Sequence, residues 1–219
     1  TGSLDDEVLR NLDERLKYLR NLEDRKNQVI ASIAEQEKLT PELERSIREA
    51  QTLVAVEDLY RPYKPKRRTR AMIAKEKGLE PLADLISMQM VKEPLIQAAA
   101  AYISQEKGVE TAEDAIQGAK DILAERISDN AEYRTYIRNA TMNKGVVQSS
   151  AKDEKVQSVY EMYYNYEEPV KKCAGHRVLA LNRGENEKIL TVKVLAPEDQ
   201  ILMYLEKQTI VRDNPHTTP

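Results

Sequence analysis

Ten residues from Arg61 to Arg70, RPYKPKRRTR, hold six cations (Arg61, Lys64, Lys66, Arg67, Arg68 and Arg70), two prolines and no acid. Such side chains neutralise phosphate oxygens and release condensed counterions, so binding would be salt-sensitive and indifferent to base sequence. Tyr60 and Tyr63 flank or interrupt the run, and tyrosine rings stack on unpaired bases. Pro62 and Pro65 favour an extended backbone, which lowers the entropy lost on ordering. The same residues also suit a strap, with arginines paired to carboxylates and tyrosines docked in a core. The chain carries −3 overall, hence −9 once the six cations are set aside, so acidic partners are available. In an extended segment alternate side chains point to opposite sides, so the six cannot all serve one surface. At this level a grip on nucleic acid, a strap between acidic helices and a contact with a partner protein all stay open.

A second group sits in HRVLALNRGE, where His176, Arg177 and Arg183 could meet phosphate or brace a helix–strand junction. Gly184 is read there as a helix stop. Tyr160, Tyr163, Tyr164 and Tyr166 could form a stacking platform, but Tyr160, Tyr163 and Tyr164 stand at helical spacing and are expected to pack a core edge. Cys173 is the sole cysteine, which excludes an internal disulfide and fits a reducing compartment. Two distant histidines offer no zinc-type ligand pairs. No phosphate-binding glycine loop, dinucleotide fingerprint or Ser-His-Asp signature is present. The expectation is a protein that is not an enzyme and needs no metal or cofactor. No apolar run is long enough to span a membrane, and TGSLDDE does not read as a secretory signal, so a cytoplasmic monomer is expected.

The elements that must hold these residues are mainly helical. Leu9, Leu12, Leu16, Leu19 and Leu22 recur at three- and four-residue steps, and Val29, Ile30 and Ile33 extend the stripe. This predicts one long spine helix between Leu4 and Glu37, with Ser3 as its cap, packing on several partners; a coiled-coil dimer is the alternative. Its interleaved acids make Arg10, Lys17, Arg20 and Lys26 a solvated face. Thr40-Pro41 opens a second helix, with Leu43, Ile47, Leu53 and Val54 on its inner face. Thr69 caps a short helix that Gly78 ends; Pro81 and Pro94 open two more. Thr111 and Asp114 form a capping box ahead of AEDAIQGAKDILAERI, and Asp129 is read as the cap of the helix after it. Beyond Gly145, VVQSSA and the alternating KILTVKVLA read as strands that pair, with a final helix covering them. DNPHTTP reads as a frayed end. The fold class is therefore mainly α, with a spine helix, shorter helices and a small β-sheet near the C-terminal end. Residues 1–145 are read as the helical domain and 146–219 as a small α+β portion.

Four stretches carry a resemblance: TGSLDDEVLRNLDERLKYLRNLEDRK, VEDLYRPYKPKRRTR, AEDAIQGAKDILAERISD and HRVLALNRGENEKIL. In this order they resemble the N-terminal region of the Tex family of bacterial transcription accessory proteins. The basic proline-containing block is the most distinctive of them. Tex proteins continue into an RNase-H-like domain, helix-hairpin-helix motifs and an OB-fold RNA-binding domain, and none of these is visible here. The chain thus reads as a fragment. It departs from the family at Cys173-Ala174-Gly175, where Pro and Ser usually precede the His-Arg pair. The resemblance implies a nucleic-acid-associated scaffold acting in transcription, with weak, non-specific RNA or DNA contact and a surface for transcription machinery. Its contact residues would be Arg61, Tyr63, Lys64, Lys66, Arg67, Arg68, Arg70, Arg177 and Arg183. The alternative is a purely structural scaffold that organises the missing domains.

Overall fold

The computed structural model describes residues 5–217; the Ser3 cap lies outside them. Ten α-helices and three strands divide into two compact units among the described residues. The first takes in the chain up to Ile86 together with Lys92–Glu132, and the second takes in Ser87–Val91 and the chain from Tyr133 onward. No described helix is long and apolar enough to cross a membrane.

In the first unit, α1 (Asp6–Glu35) is the spine helix, 30 residues long. Its stripe does not work along its whole length. Leu22, Lys26, Val29 and Ile33 are buried, whereas Leu9, Leu12, Leu16 and Leu19 are exposed, Leu12 to 60%. The second helix read from the sequence is two, α2 (Pro41–Glu49) and α3 (Leu53–Tyr60). The break follows from Thr52, whose hydroxyl accepts from the Ala55 N–H and caps α3, leaving Val54 on the exposed side. The buried half of α1 packs with Ile47, Val56 and Tyr60. Lys26 is nearly buried because its Nζ donates to the Arg48 carbonyl at 2.6 Å, at the negative end of α2.

A second core in this unit joins α4 (Arg70–Glu76), α5 (Glu80–Met88), α6 (Leu95–Ala100) and α7 (Ala112–Asp129) around Leu79, Leu82, Ala115 and Ile122. The expected caps form: Thr69 accepts from the Met72 N–H, and Thr111 and Asp114 make the reciprocal box. A side chain at Gly118 would collide with Leu79, so glycine there lets α7 lie close against the Leu79 side chain.

In the second unit, β1 (Val146–Ala151) is central and antiparallel to both β2 (Asn165–Pro169) and β3 (Leu190–Leu195). The pairing of the first and last strands is as expected. Register puts Val147, Ser149, Tyr166 and Val192 on one face, where Leu181, Tyr160 and Tyr163 complete the core. That face is covered by α9 (Gly175–Asn186), not by the last helix. α10 (Glu198–Thr209) instead lies on α8 (Ala131–Lys144), with Tyr136 and Tyr204 stacked at 3.6 Å. α9 runs through Gly184, whose missing side chain makes room for Leu190 and Tyr160, and the turn falls at Lys188, with φ 62°. The tail is not frayed over its described residues. Gln89 Oε1 accepts from the Val211 and Arg212 N–H groups, and Asn214 Nδ2 donates to the Gln89 and Val91 carbonyls.

Candidate nucleic-acid interface

α3 ends at Tyr60, and the chain turns at once: the Tyr63 and Lys64 N–H groups return to the Tyr60 carbonyl at 2.9 and 3.0 Å. Both tyrosines are used inwardly. Tyr60 is buried, its hydroxyl 3.0 Å from Ser32 Oγ, with the Arg25 guanidinium over its ring. Tyr63 packs against the same core, and its carbonyl accepts from Gln36 Nε2. From Pro65 the chain runs without regular secondary structure to Thr69, whose extended backbone caps α4.

Opposite this stretch lies α7, with Asp121, Glu125 and Asp129 four residues apart and so on one helix face. Lys66 Nζ bonds Asp129 and lies 3.7 Å from Glu125. Arg61 Nε reaches the other Asp129 oxygen at 3.1 Å. Thr69 Oγ1 donates to Glu125 at 2.9 Å while it accepts from the Met72 N–H. Asp129 is therefore the buried acidic anchor of the strap at the end of α7, and the next helix takes Asn130 Oδ1 onto the Glu132 N–H. The sequence reading takes only Asp129 of these three acids, though their four-residue spacing is a readable signal.

The remaining cations face outward. Lys64 stands 3.5 Å from Glu57, and Arg68 bonds the exposed Glu76 at 2.7 Å. Arg70 lies 3.7 Å from Asp121 with its side chain 84% exposed. Arg67 is exposed and, among the described residues, has no carboxylate or other acceptor. Glu57 is held below the usual carboxylate range, first by the hydrogen bond from Arg25 and to a lesser degree by Lys64. The six cations of the segment thus divide: Arg61 and Lys66 are tied to α7, and Lys64, Arg67, Arg68 and Arg70 project to solvent.

Arg177 and Arg183 lie in the second unit, on α9. Arg177 is bonded to Glu168 on β2, which also accepts from the Tyr166 hydroxyl. The bond from Arg177, then that from Tyr166, holds Glu168 below the usual carboxylate range; Glu168 in turn raises Arg177. Burial first, then Glu168, pushes up the Tyr166 phenol and the Cys173 thiol, so Cys173 is the opposite of an activated nucleophile. His176 and Arg183 are exposed.

Comparison with known proteins agrees with this layout. The family model described as Tex central region-like matches residues 92–214. Uncharacterized protein YdcI of Bacillus subtilis is 52% identical over 213 residues, covering 96% of this chain and 30% of that protein. Transcriptional accessory protein Tex of Neisseria gonorrhoeae is 41% identical over 202 residues, 91% of this chain and 26% of its own length. S1 RNA-binding domain-containing protein 1 of Homo sapiens is 29% identical over 203 residues, 88% of this chain and 20% of its own. The chain thus spans less than a third of the length of these relatives. The matched region takes in more than half of the sequence, and the chain belongs to the Tex family.

Proposed function

We propose that this chain is a nucleic-acid-associated scaffold module of a Tex-type transcription accessory protein, and that it contacts RNA or DNA backbones weakly and without sequence preference. The names of its relatives, a transcriptional accessory protein and an RNA-binding domain protein, support the setting. The observation that carries the contact is the outward set, Lys64, Arg67, Arg68 and Arg70, with Arg67 unpaired among the described residues. Arg61 and Lys66 take a different part in this proposal: held by Asp129, they fix the segment so that its other cations project together. Tyr63, half-buried, supports the turn. Arg183 is an exposed candidate for a further phosphate contact, and Arg177 is committed to Glu168. The module binds and positions; it carries out no chemistry of its own, acts in the cytoplasm as a monomer and offers a surface to transcription machinery.

A second reading, a pure scaffold, is favoured by one observation: five of the six cations already face a carboxylate. Titrating labelled single- and double-stranded nucleic acid against the wild type and Arg67→Glu/Arg68→Glu separates the two. The contact reading expects binding that falls with salt, is largely lost in the double variant, and loses about two units of salt slope at ~0.9 per phosphate contact. Absence of binding at low salt, or equal binding by the variant, leaves the scaffold alone.

A further inference from the structure

The half-buried network on β2 and α9 has no part in the backbone contact proposed above. Strand alternation turns Tyr166 and Glu168 to one face, and α9 brings Arg177 onto them. With Met162, Tyr163 and the exposed Glu167 they line a cleft of about 320 Å³, within the range in which proteins hold small ligands, ~300–1,000 Å³. Met162 and the two tyrosine rings form the apolar part of its wall, and Glu167, Glu168 and Arg177 form the polar part. Tyr163 and Tyr166 meet edge to face at 5.2 Å. Met162 is 73% exposed, so the core has not claimed it and its flexible thioether is free to cover a planar group.

Its polar mouth selects among ligands. Glu168 is an ionised acceptor, and its charge already neutralises Arg177, so a phosphate gains little there. Arg177 has five N–H donors, which its bond to Glu168 and its contact with the Tyr166 hydroxyl do not exhaust. A neutral planar group with a donor beside an acceptor on its edge gains from both residues and from the apolar part of the wall. We infer that this cleft takes one unpaired nucleobase of a single strand, its edge on Glu168 and Arg177 and its face against Met162 and Tyr166. The Watson–Crick edge of every base carries such a neighbouring pair, and in a duplex that edge is occupied, so the cleft selects single strands. The inference rests on the nucleic-acid reading for the class of ligand, but not on the basic segment.

The test follows the backbone amides of residues 165–178 by NMR in the full chain during titration with guanosine and uridine monophosphates, and with ribose 5-phosphate. Both nucleotides shift these amides and ribose 5-phosphate does not. Arg177→Lys weakens the nucleotide response roughly tenfold, the loss expected for one good base contact. Met162→Ala, at an exposed position, also weakens it without disturbing the fold. Arg67→Glu/Arg68→Glu leaves it unchanged, which distinguishes failure of this cleft from failure of the backbone contact. Equal shifts with ribose 5-phosphate, no shift with either nucleotide, or an unaltered response in Met162→Ala each overturn the inference.

Discussion

Lys66 and Arg67 are neighbours of the same charge with opposite surroundings. Lys66 lies against Asp129 and Glu125, a quarter exposed, while Arg67 stands in solvent with no acceptor among the described residues. The same division runs along the whole segment: Arg61, Lys66 and Thr69 face α7, and Lys64, Arg67, Arg68 and Arg70 do not depend on a buried partner. One short stretch thus does two jobs. Its inner side contributes stability through charges that cannot be left alone, and its outer side costs the fold little, because exposed ion pairs contribute ~1 kcal/mol or less.

The strongest way to break this comparison is Asp129→Ala. It leaves Lys66 with Glu125 alone and takes from Arg61 its carboxylate, and it should cost about 2–3 kcal/mol, read as a fall in denaturation midpoint. Lys66→Met/Asp129→Leu removes both charges and should recover most of that loss, since a well-packed apolar pair often replaces a buried ion pair. If the double variant is no better than Asp129→Ala, Arg61 or the backbone geometry carries the strap instead. Thr69→Ala should come next, at about 1 kcal/mol, because it removes the α4 cap and the donor to Glu125 together.

A smaller effect is acid dependence at Glu57. Its folded pKa lies below the ordinary value, so its contribution is complete above about pH 4.3 and is lost as the pH falls through the folded value. Glu57→Gln should therefore flatten the decline of melting temperature between about pH 5 and 3. Smallest of all, Lys64→Ala and Arg70→Ala should change stability by no more than about 0.5 kcal/mol. A loss of the Asp129→Ala size from either would erase the distinction between the two sides.

Much of the fold was legible because its signals are local. Thr69, Thr111 with Asp114, Pro81 and Pro94 mark helix starts where they form, and alternation in KILTVKVLA marks β3. Misreadings arose where local sense was correct but packing decided otherwise. The leucine stripe of α1 is periodic throughout, yet only its second half meets α2 and α3. Gly184 looked like a stop and is instead a space for Leu190 and Tyr160. Asp129 looked like a cap and is the anchor of a cation 63 residues away. The tail reads as frayed, and the Gln89 side-chain oxygen holds it by accepting from the Val211 and Arg212 N–H groups, which no composition reveals.

By itself, the sequence determined the helical class, the position of the one dense cationic segment, and that its six cations would not all serve one surface. Charge count, proline and strand-like alternation are properties of adjacent residues, and adjacency is enough to establish them. Which side would be tied down was decided only by tertiary structure. That choice depends on where α7 lies against the segment, and thus on burial of Ala115, Ala119 and Ile122 far along the chain. Once those residues are packed, Glu125 and Asp129 stand in reach of the inner side, Asp121 lies 3.7 Å from the exposed Arg70, and the burial of Asp129 ties down the inner side and leaves the other free.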